Sequence, residues 1–165
     1  MADNPNKAKQ LSPPRGLGRL AFRLPIWLYK IHLGWLLGNR FMLLTHTGRK
    51  SGLPRRTVIE VVRYDRQKQI FYAASGWGKR SDWYKNVIKN PHVSIQSGRV
   101  NQRAVAERLS VEEAGEELVQ YARDHSFAWR ELAGIMGYQL DGTESGVRAV
   151  AQTLPVFAFR LLSEE

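Results

Sequence analysis

The sequence contains no cysteine among its 165 residues. Disulfide bonds, thiolate metal ligands, iron–sulfur clusters and cysteine nucleophiles are therefore excluded. The four histidines also lack the spacing of a metal site, because no His-x-x-x-His pair occurs. We predict no metal centre, and the composition is compatible with a reducing, cytoplasmic compartment.

Acidic residues are missing from residues 4–59, although that stretch holds eleven basic ones. The basic residues are Lys7, Lys9, Arg15, Arg19, Arg23, Lys30, Arg40, Arg49, Lys50, Arg55 and Arg56. The formal net charge of the whole chain is +10, so the rest of the chain is close to neutral. This asymmetry predicts an anionic partner, and charge alone leaves open whether it is nucleic acid, a membrane surface or a phosphorylated small molecule.

A long uninterrupted apolar run is also missing. The most apolar stretch, Leu20 to Leu37, contains Arg23, Pro25, Lys30 and His32, so it is a poor transmembrane span.

The first six residues lack the layout of a secretory signal, and we expect none. Residues 1–16 have the composition of a flexible tail, and residues 17–165 are predicted to form a single domain.

Short apolar segments bounded by Gly, Pro or polar turns predict strands. They are Phe41–Thr45, Arg55–Tyr64, Gln69–Ser75, Val93–Gln96, Asn101–Leu109 and Leu154–Leu162. Helices are predicted over Ser81–Lys89, after a capping box at Ser110 and Glu113, and over most of Phe127–Ala151. This order predicts an α+β fold in which a small antiparallel β-barrel carries peripheral helices.

An amphipathic helix, or two helices broken near Pro25, is predicted over residues 17–39. Two interpretations of this segment stay open. It packs over the mouth of the barrel, or it lies in the headgroup region of an anionic membrane, where Trp combined with Lys and Arg is the usual composition.

The segment Thr45–Thr57 combines turn residues with charge. Gly48 and Gly52 allow the backbone to turn and to approach a ligand closely. Four nearby cations, Arg49, Lys50, Arg55 and Arg56, can donate charge-assisted hydrogen bonds to phosphate or carboxylate oxygens. The spacing is not that of a nucleotide P-loop, and a solvated basic hairpin is the alternative interpretation.

The segment Ala73–Asn86 runs from a strand end through a glycine-rich turn into a helix. Its small residues leave room for a flat ring, and backbone N–H groups near Ser81 can bind an anion. Lys79 and Arg80 add positive charge. Trp83 offers an aromatic face, although a Trp at such a position is more often part of a core.

Over roughly Leu43 to Leu109 the ordered motifs Thr-Gly-Arg-Lys-Ser-Gly-x-Pro-Arg, Ala-Ala-Ser-Gly, Trp-Tyr-x-Asn and Asn-Pro-x-Val make the chain resemble the deazaflavin (F420)-dependent nitroreductase family. The resemblance implies a split, FMN-binding-like β-barrel that binds coenzyme F420. It implies that the phosphate and acidic tail are held by Arg49, Lys50, Ser51 and Arg55. It implies that the ring and ribityl portion are lined by Arg56, Thr57, Val58, Ile59, Glu60, Ala73, Ala74, Ser75, Gly76, Asp82, Trp83, Tyr84, Lys85 and Asn86.

The function implied by the resemblance is hydride transfer between the reduced deazaflavin and a nitro, quinone or activated C=C substrate. The protein's tasks are then binding, orientation and exclusion of water. The reduced substrate also needs a proton. Ser75 and Tyr138 are the predicted catalytic residues, and Tyr84, Tyr121 and solvent are the alternatives.

Other functions remain open at this point. Split barrels also hold FMN, heme or other tetrapyrroles, and a membrane-associated binding module would use the same basic portion. Nucleic acid is not expected, because no helix-turn-helix, zinc-finger or RNP motif occurs. A homodimer is expected by analogy alone. The predicted location is the cytoplasm, either free or peripheral at the inner face of the membrane.

Overall fold

The structure is a computed structural model that describes residues 40–135, 137–138 and 141–163. The strands are β1 (Phe41–Thr47), β2 (Pro54–Asp65), β3 (Ile70–Ala74), β4 (His92–Ser97), β5 (Val100–Arg108) and β6 (Val156–Leu161). The helices are α1 (Asp82–Lys89), α2 (Val111–Asp124), α3 (Ser126–Ile135) and α4 (Glu144–Val150), and a 3₁₀ turn covers Gly78–Arg80. The predicted tail and the helix predicted over residues 17–39 lie outside the described residues.

The six strands form a closed barrel in the order β1-β2-β3-β6-β5-β4, and every neighbouring pair is antiparallel. Closure pairs both edges of each strand. The expected α+β barrel with peripheral helices is therefore confirmed. A shift of register between β2 and β3 at Val61 and Arg63 was not predicted, and such bulges bend a strand and increase its twist.

The interior of the barrel is filled by apolar side chains that alternate along the strands. Met42 and Leu44 from β1 meet Phe71 from β3 and Phe157 from β6, all at 1% exposure or less. Helix α1 inserts its apolar face into the same cluster. Trp83 packs edge-on against Phe157, with ring centroids 5.3 Å apart. Since aromatic side chains bury large areas, this contact fixes α1 on the barrel.

A second apolar cluster lies between α2, α3, α4 and the start of β6. Its members include Leu118, Trp129, Val147 and Leu154. The region predicted as mostly helical, Phe127–Ala151, divides into α3 and α4. In the described part of the chain, no helix has the length and apolar character needed to cross a membrane.

Helix α2 begins with the predicted capping box. The Ser110 hydroxyl accepts from the Glu113 amide at 3.2 Å, and the Glu113 carboxylate accepts from the Ser110 amide at 2.9 Å. Both backbone groups lack a partner within the helix, so these bonds stabilise its first turn.

We expect Ser110→Ala to lower the free energy of unfolding by about 1 kcal/mol, the usual effect of losing an N-cap side chain. Urea denaturation followed by circular dichroism measures it. Ser163→Ala, at an exposed position after β6, is the control and should leave the midpoint unchanged. Equal midpoints for Ser110→Ala and the parent protein would contradict a stabilising cap.

Candidate cofactor site

The turn between β1 and β2 is closed by its own backbone. The Gly48 amide donates to the Leu53 carbonyl and the Gly52 amide to the Gly48 carbonyl, each at 2.8 Å. A Cβ atom on Gly48 would lie 2.8 Å from the Ser51 hydroxyl oxygen and 3.2 Å from the Leu53 carbonyl oxygen. Gly52 has a φ of 67°, which favours glycine. Both glycines are therefore required by the shape of the turn.

Asn86 of α1 holds this turn against the barrel. Its Oδ1 accepts from the Arg49 backbone amide and from Arg49 Nη1, both at 3.0 Å, and its Nδ2 lies 3.2 Å from His46 Nδ1. Asp82 accepts from the same Nη1 at 3.1 Å, and Lys89 donates to the Arg49 carbonyl at 2.9 Å. The fold thus brings together the two segments that the sequence marked separately.

His46 is buried beneath the turn, at 5% exposure. Burial lowers the pKa of its imidazole, against the opposing effect of the nearby Asp82 carboxylate. From the sequence, His46 was considered only as a metal ligand, and its position beneath the turn was not predicted. The available signal was a polar residue at an inward-facing position of β1, two residues after the buried Leu44.

Lys50, Arg55 and Arg56 are exposed and have no acidic partner among the described residues. Five described arginines do have acidic partners, as in the 2.6 Å contact between Arg63 and Glu117. The pairing of β1 with β2 sets Arg55 opposite His46 and Arg56 opposite Thr45. Because neighbouring strand residues point to opposite faces, Arg55 and Arg56 do not form one cluster.

The turn before α1 is organised by Ser75, which has no exposed surface. Its hydroxyl donates to the Gly78 carbonyl at 2.8 Å and lies 2.8 Å from the Ser81 hydroxyl. The Ser81 side chain makes no capping bond to the helix that it precedes. The first N–H groups of α1 therefore have no side-chain cap, the arrangement in which helix N-termini bind anions.

The predicted site residues divide by burial. Those on the surface are Lys50, Ser51, Arg55, Arg56, Gly76, Lys79, Arg80, Asp82 and Lys85. Those of intermediate exposure are Arg49, Thr57, Val58, Glu60 and Ala74. Those buried in the protein are Ile59, Ala73, Ser75, Trp83, Tyr84 and Asn86. The buried members can shape the site from beneath, whereas only the others offer substantial surface to a ligand.

Trp83 was expected to pack beside the cofactor ring, with a core position as the alternative. The structure places it at 8% exposure in the barrel core, against Phe157. Tyr84 has the same exposure and also packs on Phe157, at 5.5 Å. Any contact between Trp83 and a bound ring is thus limited to a small exposed edge.

The two predicted catalytic hydroxyls both have protein partners. Ser75 is bonded as described above, and the Tyr138 hydroxyl lies 2.6 Å from the Thr153 hydroxyl oxygen. Proton donation by either residue would require these bonds to be exchanged, and both assignments stay predictions.

A cavity of about 680 Å³ lies beside β2, at the junction of α2 and α3. Its lining is Arg40, Val61, Val62, Arg63, Tyr64, Tyr121, Asp124, His125, Ser126, Phe127 and Ala128. The Tyr121 hydroxyl donates to Glu60 Oε1 at 2.8 Å. Burial, with the Glu60 carboxylate second, raises the pKa of Tyr121, so its hydroxyl keeps its proton. This cavity was not predicted from the sequence.

Fold and site together define a small antiparallel barrel with peripheral helices and a basic turn between β1 and β2. Two solved structures share the fold. One is a putative pyridoxamine 5′-phosphate oxidase from Listeria innocua, with 16% identity over 82% of this chain and 94% of that one and a TM-score of 0.50. The other is the General Stress Protein 26 from Bacillus anthracis, with 14% identity over 84% of this chain and 89% of that one and a TM-score of 0.50. A structure described as an F420-H2 dependent reductase (FDR-A) is 26% identical over 74% of this chain and 96% of that one, with a TM-score of 0.45.

Residues 25–143 match the F420H(2)-dependent quinone reductase family. The chain therefore belongs to this family. It is an F420-dependent oxidoreductase with the split-barrel fold, and coenzyme F420 is its cofactor. The resemblance drawn from the sequence motifs is confirmed at this level.

We expect Asn86→Ala to release the basic turn, because it removes the acceptor for two Arg49 donors. The loss should destabilise the protein by about 1–3 kcal/mol, since buried groups are left without partners. Thermal denaturation measures the stability, and amide hydrogen exchange at Arg49 measures the release. Asn101→Ala, at an exposed position of β5, is the control. Equal protection of the Arg49 amide from hydrogen exchange in the parent and in Asn86→Ala would contradict this interpretation.

Proposed function

We propose that the protein binds reduced coenzyme F420 through the turn between β1 and β2 and the N-terminus of α1, and passes a hydride to a quinone, nitro compound or activated alkene. The observation that carries the proposal is the set of unpaired, exposed cations, Lys50, Arg55 and Arg56, beside a helix without a side-chain cap. The residues outside the described ranges contain three acids, Asp3, Glu164 and Glu165.

The donors present suit the anionic groups of this cofactor. Lys and Arg side chains and backbone N–H groups are the usual partners of phosphate and carboxylate oxygens. Arg49 differs from its neighbours, because its guanidinium already bonds Asp82 and Asn86. Its proposed role is to position the turn, while Lys50 and Arg55 contact the ligand.

The bound deazaflavin would supply the hydride, and the protein would supply binding, orientation and exclusion of water. We propose the cavity beside β2 as the space for the substrate. It lies next to Glu60, a residue that the family resemblance assigns to the ring, and Glu60 is bonded to Tyr121 of the cavity wall. The aromatic side chains Tyr64, Tyr121 and Phe127 favour a flat, largely apolar substrate.

The proton source is proposed within the same set of hydroxyls. Ser75 and Tyr138 keep their assignment from the sequence as candidates. Tyr121 is the candidate at the cavity. Its hydroxyl stays protonated in the neutral range, and donation to a substrate would require its bond to Glu60 to be exchanged.

Two predictions stay with the sequence alone. Attachment to an anionic membrane rests on residues 17–39, which lie outside the described residues. A homodimer rests on analogy with other split barrels.

The test of the proposed function is a fluorescence titration of the purified protein with F420 and, separately, with FMN. Saturable binding of F420 and no binding of FMN would support it. Binding of FMN without F420 would overturn it in favour of a flavoprotein.

Lys50→Ala and Arg55→Ala should each weaken F420 binding by about 1.5–3 kcal/mol through the loss of a charge-assisted hydrogen bond. This corresponds to roughly a 10- to 150-fold rise in Kd. The same titration measures it. Lys68→Ala removes an equal charge from the hairpin after β2, at the other end of that strand, and should leave Kd unchanged. If all three variants bind like the parent, the turn is not the cofactor site.

Phe127→Ala should raise KM for a short-chain naphthoquinone several-fold while leaving Kd for F420 unchanged. The Phe127 ring lines the cavity and is 71% exposed, so its removal costs substrate contact and little stability. Steady-state kinetics at saturating F420 measure it. Val111→Ala, an exposed apolar position at the start of α2, is the control. An unchanged KM in Phe127→Ala would place the substrate elsewhere.

A further inference from the structure

His46 lies beneath the cofactor-binding turn without contributing a group to its surface. We propose that the unprotonated His46 ring is a positioning element that, through Asn86, holds Arg49 and the turn in the conformation that binds an anionic cofactor, and that acid releases it. This inference rests on the proposed function, because it concerns the same binding turn.

The hydrogen bonds around Asn86 fix the state of the histidine. Asn86 Oδ1 accepts from the Arg49 amide and from Arg49 Nη1, so the Asn86 NH₂ group is the one that faces His46 Nδ1, at 3.2 Å. An NH₂ group can only donate, and Nδ1 must therefore accept through its lone pair. A protonated imidazole carries N–H groups on both nitrogens. Protonation would thus place two donors face to face.

Protonation of His46 would affect the cofactor-binding turn through Asn86. The two Arg49 donors share one amide oxygen, so a rotation of Asn86 away from a protonated His46 breaks both bonds together. Arg49 immediately precedes Lys50, the first cation proposed to contact the cofactor. A turn that has lost these two bonds, and is held at Arg49 by Asp82 and Lys89 alone, must be ordered again when the ligand binds, and that ordering lowers the affinity.

The surroundings of His46 set the direction of the pH effect. Burial lowers its pKa; Asp82 of α1 and the Thr47 backbone carbonyl oppose this, and Arg55 on β2 adds to it. The result is a pKa below the ordinary value of 6.5. The positioning is therefore complete above pH 6.5 and is lost as the pH falls through the lower, folded-state pKa.

Electrostatic attraction alone predicts the opposite change of affinity with pH. A protonated His46 adds a positive charge close to Arg55, which would strengthen the binding of an anion. The two effects are therefore separated by the direction in which affinity changes with acid.

The experiment is a titration with F420 between pH 5.5 and 8 for the parent protein, His46→Asn and His92→Asn. An asparagine at position 46 can accept from Asn86 through its own amide oxygen and does not titrate. We expect the parent Kd to rise on acidification by about fivefold more than that of His46→Asn, the worth of roughly one hydrogen bond. His92→Asn removes an exposed histidine and should follow the parent. Titration of the cofactor itself is common to all three proteins and cancels in the comparison.

A second measurement uses the protein without cofactor. The Arg49 amide should lose protection from hydrogen exchange at low pH in the parent, relative to its intrinsic rate, and stay protected in His46→Asn. Equal pH dependence in parent and His46→Asn, or tighter F420 binding by the parent in acid, overturns the inference alone. Failure of the parent to bind F420 at any pH overturns the proposed function and the cofactor role of His46 with it.

Discussion

The amide group of Asn86 is the constraint on which the rest of the site depends. One buried side chain bonds the backbone and the guanidinium of Arg49 on one side and the ring of His46 on the other. Buried polar groups are costly unless all their bonds are made, so this arrangement admits few alternatives. It couples a surface turn to the barrel beneath it.

The barrel provides the rigid reference for that coupling. Its closed sheet pairs every strand on both edges, and Trp83 and Tyr84 fix α1 by packing on Phe157 in the interior. Because α1 carries Asn86 and Asp82 as well as these aromatics, the same short helix positions the site and completes the core. Residues that the sequence suggested as ligand contacts therefore stabilise the fold that presents the basic turn.

The cations of the described residues include some with acidic partners and some without. Arg49 is paired with Asp82 and Arg63 with Glu117, whereas Lys50, Arg55 and Arg56 face solvent without an acidic partner in the described residues. Exposed cations without acidic partners are available to bind phosphate and carboxylate oxygens. A bound anionic tail would pair with those that reach it.

The sequence by itself determined the barrel, the capping box of α2, the two segments of the site and the family, because strand periodicity, turn residues and the ordered motifs are local properties. It did not decide which residues of those segments face a ligand. Trp83, Ser75 and Asn86 lie in motifs that predict ligand contact, yet the structure buries all three. It also did not bring His46 to Asn86, Tyr121 to Glu60, or α2 and α3 to the cavity beside β2. These contacts join residues distant in the chain, and only the closure of the barrel and the packing of helices on it decide them.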